Sequence, residues 1–168
     1  MAEHNYSITT NRLHIQPTSK NDTSFILELV NTKGWLQFIG DRNVHSISEA
    51  NTYIDTILTT ENLFYWTVQT KETKTPIGII TFLKRSQLDH FDLGFAFLPE
   101  YGKKGYAYEA SKAVLQFVRK QLEQQAVLAV TLPFNLSSIQ LLKKLDFRFL
   151  KEIDRGNENL QVYVNEES

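Results

Sequence analysis

The stretch Asp92-Leu93-Gly94-Phe95-Ala96-Phe97-Leu98-Pro99-Glu100-Tyr101-Gly102-Lys103-Lys104-Gly105-Tyr106-Ala107 carries the first half of a recognisable unit. Asp92 to Leu98 is apolar and aromatic and stops at a proline, which predicts a strand. From there Tyr106, Ala110, Ala113, Val114, Phe117 and Val118 recur at helical spacing, and Ala126 to Leu132 forms a compact apolar strand. Strand, helix and strand in this order predict a βαβ unit with a right-handed crossover, so the two strands run parallel in one sheet.

The turn inside that unit has chemistry of its own. A helix start presents unpaired backbone N–H groups and the positive end of its dipole, which together suit a pyrophosphate. Gly102 and Gly105 let the backbone turn tightly and approach a ligand, while Lys103 and Lys104 add positive charge. The same residues also suit a plain turn with two solvated lysines, and the loop alone leaves both readings open. G-x-G-x-x-G and Gly-Lys-Ser/Thr are absent, which disfavours a dinucleotide fold and a Walker loop.

Outward from this unit, Leu13 to Pro17 alternates like a short strand, and Ser19 to Val30 reads as a helix with Phe25, Ile26, Leu29 and Val30 on one face. Trp35, Leu36, Phe38 and Ile39 fall in an aromatic-rich connection ending at Gly40. Capping logic places the next helix start at Ser48-Glu49-Ala50-Asn51, continued by Tyr53, Ile54, Ile57 and Leu58. Phe64 to Gln69 and Ile77 to Leu83, with the turn Lys71 to Lys74 between them, predict an antiparallel pair. Asn135 to Leu145 reads as a last helix, and Phe147 to Ile153 and Leu160 to Val164 as closing strands joined by Asp154-Arg155-Gly156-Asn157. The expected fold is α/β (α+β): one domain over residues 1–168, a mixed twisted sheet flanked by helices.

Composition narrows the function classes. A net charge of −1 provides no basic field for nucleic acid or an anionic membrane, so neither is expected as a partner. With no cysteine there is no disulfide, thiolate metal site or cysteine nucleophile. His4, His14, His45 and His90 lack metal-ligand spacing, so no metal is expected. The polar start, Met1 to Thr10, has no signal-peptide character, and no run approaches the ~20 apolar residues of a membrane helix. The expected location is the cytoplasm.

Leu98 to Ala110 resembles the acetyl-CoA loop of the GNAT superfamily, Q/R-x-x-G-x-G/A, in the form found in the ribosomal-protein N-terminal (alanine/serine) acetyltransferase group. Gly105 and Ala107 match its last two positions, and Gly102 stands where that group often has Trp and the wider family Arg or Gln. Thr10-Asn11-Arg12-Leu13 is similar to the group's Thr-Glu-Arg-Leu. Asn135-Leu136-Ser137-Ser138 and Lys144-Leu145-Asp146-Phe147 are similar to its N-x-x-S and K-L-G-F. These segments follow the family order across nearly the whole chain. Lys103 and Asp146 depart from the pattern, each at a place where glycine is usual.

The resemblance implies acetyl-CoA as acyl donor and CoA as product, with the pantetheine arm between splayed strands at Asp92 to Leu98 and Ala126 to Leu132. Phe97, Leu98, Gly102, Lys103, Lys104, Gly105, Tyr106, Ala107 and Asn135 would hold the cofactor. Gly94 fits either a bulge or a close backbone approach in the first strand. Asp92 corresponds to an acidic residue that similar enzymes place near the acceptor amine, which makes it the candidate base, the alternative being an exposed strand-end carboxylate; Glu109, in a first helical turn where the dipole alone favours a carboxylate, is second. Many members carry a tyrosine seven residues after the asparagine; here that position is Leu142, and Ser138 becomes the candidate acid. Trp35 and Phe38, with Tyr53, belong to the helical region that covers the acceptor. The implied activity is acetyl transfer to a primary amine, a protein N-terminal α-amine by resemblance. The alternatives are a small-molecule amine (antibiotic, polyamine or amino acid) or a non-catalytic acyl-CoA-binding module.

Overall fold

A computed structural model of the chain describes residues 6–167, so His4 lies outside the described residues. Its strands are β1 (Ile8–Thr9), β2 (Leu13–Pro17), β3 (Leu63–Thr70), β4 (Pro76–Leu83), β5 (Asp92–Phe97), β6 (Ala126–Thr131), β7 (Arg148–Arg155) and β8 (Glu158–Glu166). They form one sheet in the order β1-β2-β3-β4-β5-β6-β8-β7. The helices are α1 (Thr23–Leu29), α2 (Lys33–Phe38), α3 (Ile47–Thr59), α4 (Tyr106–Leu122) and α5 (Leu136–Lys144).

The βαβ unit forms as its sequence predicts: β5, α4 and β6 follow in order, and β5 runs parallel to β6. All other neighbours in the sheet are antiparallel. The parallel pair is in register only at Asp92 and Leu128, near the start of β5. Beyond that point the two strands separate towards their C-terminal ends, leaving backbone N–H and C=O groups on facing edges without a ladder. Such groups need water or a ligand as partner.

Hydrophobic periodicity places the helices. Ala110, Val114 and Val118 of α4, with Leu142 of α5, pack on Leu13, Ile15, Trp66, Val68, Ile80, Phe82 and Leu93 on one face of the sheet. Phe25, Ile26, Leu29, Trp35 and Ile54 cover the other face through Ile79 and Leu98. Each fully buried aliphatic side chain contributes about 1.5–3 kcal/mol relative to exposure, so α4 is fixed firmly against the sheet.

Several elements differ from expectation for local reasons. The helix expected over 19–30 is interrupted: Ser19 caps a 3-10 turn at Lys20–Asp22, and Asp22 Oδ2 accepts from Ser19 N at 2.9 Å before α1 starts. The aromatic connection contains α2, capped by Thr32, whose hydroxyl accepts from Trp35 N at 3.4 Å. Helix α3 starts earlier than Ser48, because Ser46 is the cap and accepts from Glu49 N at 3.1 Å. Strand β1 is two residues long, too short for a periodic signal. Gly94 is not a bulge, since the register of β4 with β5 is unbroken from Gly78–Phe97 to Leu83–Asp92. Its close approach is to a side chain: a Cβ there would lie 2.5 Å from Thr81 Oγ1.

The two departures from the glycine pattern take the glycine backbone all the same. Asp146 has φ +63° and Lys103 φ +60°. At Asp146 the amide of Phe147 bonds Leu142 O at 2.9 Å and the amide of Asp146 bonds Lys143 O at 3.1 Å, a Schellman ending for α5. The left-handed conformation costs about 1–2 kcal/mol at a non-glycine residue, and the cap bonds offset it.

Candidate active site

Pro99–Tyr101 forms a 3-10 turn directly after β5, and Gly102 closes it by donating to Pro99 O at 3.0 Å. Gly102 is exposed, and a Cβ there would sit 3.2 Å from that same carbonyl oxygen. Lys103 follows in the left-handed region, and Gly105, at φ +80° and ψ 3°, is the N-cap of α4. Gly105 supplies no side-chain cap, so the first-turn amides of α4 are left for another acceptor. Among the described residues the first α4 amide with a backbone partner is Glu109, which bonds Gly105 O at 3.0 Å. The result is an open cradle of N–H groups at a helix dipole's positive end, flanked by the exposed Lys103 and Lys104.

Asn135 stands at the corresponding end of the neighbouring strand. It caps α5, with Oδ1 accepting from Ser138 N at 3.3 Å, so the structure brings Asn135 and Ser138 together. Phe97 lies over Gly78, where a Cβ would come within 2.4 Å of its ring. Leu98 is buried, donates to Ile77 O at 2.8 Å and accepts from Tyr101 N at 3.0 Å, which makes it part of the frame beneath the cradle.

Asp92 begins β5 and is 4% exposed. The alternative of a solvated strand-end carboxylate is therefore excluded. Its Oδ2 accepts from Arg85 Nε at 2.7 Å. Burial raises its pKa, and the charge and hydrogen bond of Arg85 only partly oppose that rise. Asp92 and Ser138 are not adjacent in the fold: Asp92 is level with Leu128, whereas Ser138 lies in the first turn of a helix that starts beyond Thr131. At ~3.3 Å per residue, the end of β6 at Thr131 lies about 10 Å beyond the level of Asp92 along the strand direction.

Glu109, the second candidate base, is otherwise engaged. Its Oε1 accepts from Thr10 Oγ1 at 2.7 Å and Arg12 N at 2.8 Å, and its Oε2 from Arg12 Nε at 2.6 Å. Burial pushes its pKa up, but those hydrogen bonds and the Arg12 charge prevail and hold it below the ordinary glutamate value. The folded state therefore binds fewer protons than the unfolded chain between the folded pKa and about 4.3, and stability rises with pH through that window. Glu109→Gln is expected to flatten this acid dependence, losing stability above the window and little below it. Urea midpoints of both proteins from pH 3 to 6 check this; parallel curves refute it.

On the opposite face, Trp35 is 5% exposed, and Phe38 meets Phe134 of the β6–α5 connection with ring centroids 5.9 Å apart. Sequence reasoning missed Tyr65 and Arg42 beside them. Trp35 Nε1 is buried and has no hydrogen-bond partner among the described residues, and Tyr65 Oη is buried beside Tyr53. Burial first, and then the neighbouring Tyr53, hold the Tyr65 phenol well above its ordinary pKa. Arg42 lies 5.9 Å from the Trp35 ring centre. Among the described residues no three His, Cys, Asp or Glu side chains gather as metal ligands, and no helix is long and apolar enough to cross a membrane.

An amide cradle thus stands at the mouth of two splayed parallel strands. The model of the acetyltransferase (GNAT) domain matches residues 12–148, and the chain belongs to that family of N-acetyltransferases. GNAT acetyltransferases use acetyl-CoA. The uncharacterized N-acetyltransferase YnaD of Bacillus subtilis (strain 168) is 28% identical over 155 residues, covering 90% of each chain. RimL, a ribosomal alpha-N-protein acetyltransferase solved in complex with coenzyme A, superposes with a TM-score of 0.83 at 12% identity over 95% of this chain and 97% of its own. A chimera of the spermidine N-acetyltransferase SpeG from Vibrio cholerae and hSSAT gives 0.76 at 14% identity over 92% and 95%. At these identities the two structures share the fold.

Proposed function

We propose that this protein transfers the acetyl group of acetyl-CoA to a primary amine, and that the amine is a protein N-terminal α-amine. The observation that carries the donor is the cradle at Gly102 to Ala107 beside the splay of β5 and β6. Lys103, Lys104 and the amides of Gly105, Tyr106 and Ala107 would take the pyrophosphate, with Phe97, Leu98 and Asn135 framing the arm. The donor supplies an acetyl thioester; the protein's own residues bind, orient and move protons. Asp92, directly or through water, accepts the proton that the amine loses as its nitrogen gains the acetyl carbonyl. The thioester C–S bond breaks as the tetrahedral adduct collapses, Ser138 donates a hydrogen bond to the departing sulfur, and CoA leaves as the thiolate, which takes its proton from water.

Between the two carboxylates, Asp92 is the better base. Glu109 has both oxygens engaged by three donors, whereas the hydrogen bond to Asp92 reaches only Oδ2. The acceptor class rests on the RimL likeness and on Arg42 beside Trp35, a cation that suits a peptide's carbonyls better than a polyamine's charges. The small-amine reading keeps its support from the SpeG likeness.

An acceptor screen separates them. Thiol release from acetyl-CoA is expected with N-terminal peptides at a kcat/KM well above that with spermidine. Turnover confined to spermidine or other small amines overturns the peptide reading. CoA binding with no turnover on any acceptor leaves the acyl-CoA-binding module.

A further inference from the structure

Thr10, Arg12 and Glu109 are held together across 97 positions of sequence, and nothing in the proton chain above uses them. Arg12, in the turn between β1 and β2, makes three side-chain contacts with the cradle's helix and loop. Its Nε bonds Glu109 Oε2 at 2.6 Å, and its Nη1 donates to Lys104 O at 3.0 Å. Its guanidinium carbon lies 4.3 Å from the centre of the Tyr106 ring, and its Nη2 would be 3.3 Å from a Cβ on Gly105. The partner carboxylate is held in turn by the Thr10 hydroxyl and the Arg12 amide, and Thr10 Oγ1 also accepts from Leu13 N at 3.1 Å. Each group therefore has one fixed place.

From this geometry we infer that Arg12 and Glu109 are positioning residues for the pyrophosphate cradle, a clasp that locks the Lys104–Gly105 turn in its anion-receiving shape. The inference rests on the proposed acetyl-CoA reading of the cradle. Lys103 and Gly105 both have positive φ, and such a turn keeps one shape only where its surroundings over-determine it. The bond from Arg12 to Lys104 O and the stack on Tyr106 provide that restraint from outside the loop. Glu109 fixes Arg12 by charge-assisted hydrogen bonds, the strongest kind available to it.

A rival account would have Arg12 act on the ligand's phosphates as a bare charge. The two accounts differ in sign at Glu109. Removing a carboxylate from beside an anion site strengthens anion binding by Coulomb's law alone. Removing one side of a clasp weakens it. The clasp borders an open groove of about 570 Å3 lined in part by Thr9, Thr10, Tyr108 and Lys112, so truncation here opens no cavity in the core.

Calorimetry with coenzyme A on the full chain provides the test, using Glu109→Gln, Arg12→Lys and Arg12→Ala, with thermal melts to confirm folding. Glu109→Gln is expected to weaken CoA binding about tenfold, the size of one charge-assisted hydrogen bond lost. Arg12→Ala should weaken it by at least as much. Arg12→Lys keeps the charge but not the fork or the flat stack, and should fall close to Arg12→Ala. With acetyl-CoA and a working acceptor, the loss should appear in KM for acetyl-CoA, with kcat and the acceptor's KM moved much less. CoA bound as tightly or more tightly by Glu109→Gln overturns the clasp, as does full rescue by Arg12→Lys. A parent protein that binds no CoA fails the acetyl-CoA reading itself, a distinguishable result.

Discussion

Gly105→Val is expected to lower CoA affinity by more than about a hundredfold while leaving the protein folded. The residue stands at φ +80°, where a β-branched side chain is a severe outlier, and forcing one there costs of order 1–3 kcal/mol or displaces the turn. A side chain has a second obstacle in Arg12 Nη2, 3.3 Å from the position of the Cβ alone. Valine's branches extend beyond that point, so either Arg12 leaves Lys104 O and Tyr106 or the N-cap backbone rotates. Both outcomes misdirect the amides that open α4. Because the loop is exposed, the core under α4 remains intact and the melting temperature should change little. Gly105→Ala, strained but unbranched, should fall between valine and the parent. Calorimetry with coenzyme A reads all three; unchanged affinity in a folded valine variant would remove the cradle from the cofactor site.

The second large effect is on turnover. Asp92→Asn and Ser138→Ala are each expected to lower kcat by roughly ten- to a thousandfold, the usual range of a general acid or base, with CoA affinity kept. An α-amine of pKa ~8 is partly neutral near pH 7, so loss of the base slows the reaction without abolishing it. Asparagine retains an oxygen for Arg85 Nε, which isolates the lost charge from the lost contact. The pH dependence has a definite sign. Asp92 acts as base only when ionised, and burial has raised its pKa, so the acid limb of kcat/KM should lie above the ordinary aspartate range. Arg85 opposes that rise, and Arg85→Gln should therefore move the limb further up. In Asp92→Asn the limb should disappear. If both variants turn over within about twofold of the parent on a good acceptor, positioning alone carries the reaction.

Asp92 also has a structural side, since removing its charge leaves the half-buried Arg85 without an ionised partner. Loss of one member of such a pair costs stability as well as chemistry. The melting temperature of Asp92→Asn belongs beside its kcat for that reason: a fall in both, with CoA binding intact, is the expected pattern.

What the sequence alone determined about this protein was whatever is written in short windows. The strand ending at Pro99, the glycine turn and the 3.6-residue period of α4 lie within one continuous segment, and so does the cap of Asn135 on Ser138. Backbone sterics and local hydrogen bonds act over a few residues, which is why the βαβ unit and its glycine turn were legible. Tertiary structure decided the rest. That β5 and β6 meet only at Asp92 and Leu128 depends on how two helices and the flanking strands pack, and no window of either strand contains it. Asp92 reads as an exposed strand end until Arg85, from the preceding connection, pairs with it as the fold buries them. Glu109 reads as a dipole-favoured first-turn residue or a spare base until Thr10 and Arg12 arrive from the far end of the chain. Contacts between distant segments follow from the burial of apolar faces, which selects the packing of whole elements and leaves no mark near the polar residues that it brings together.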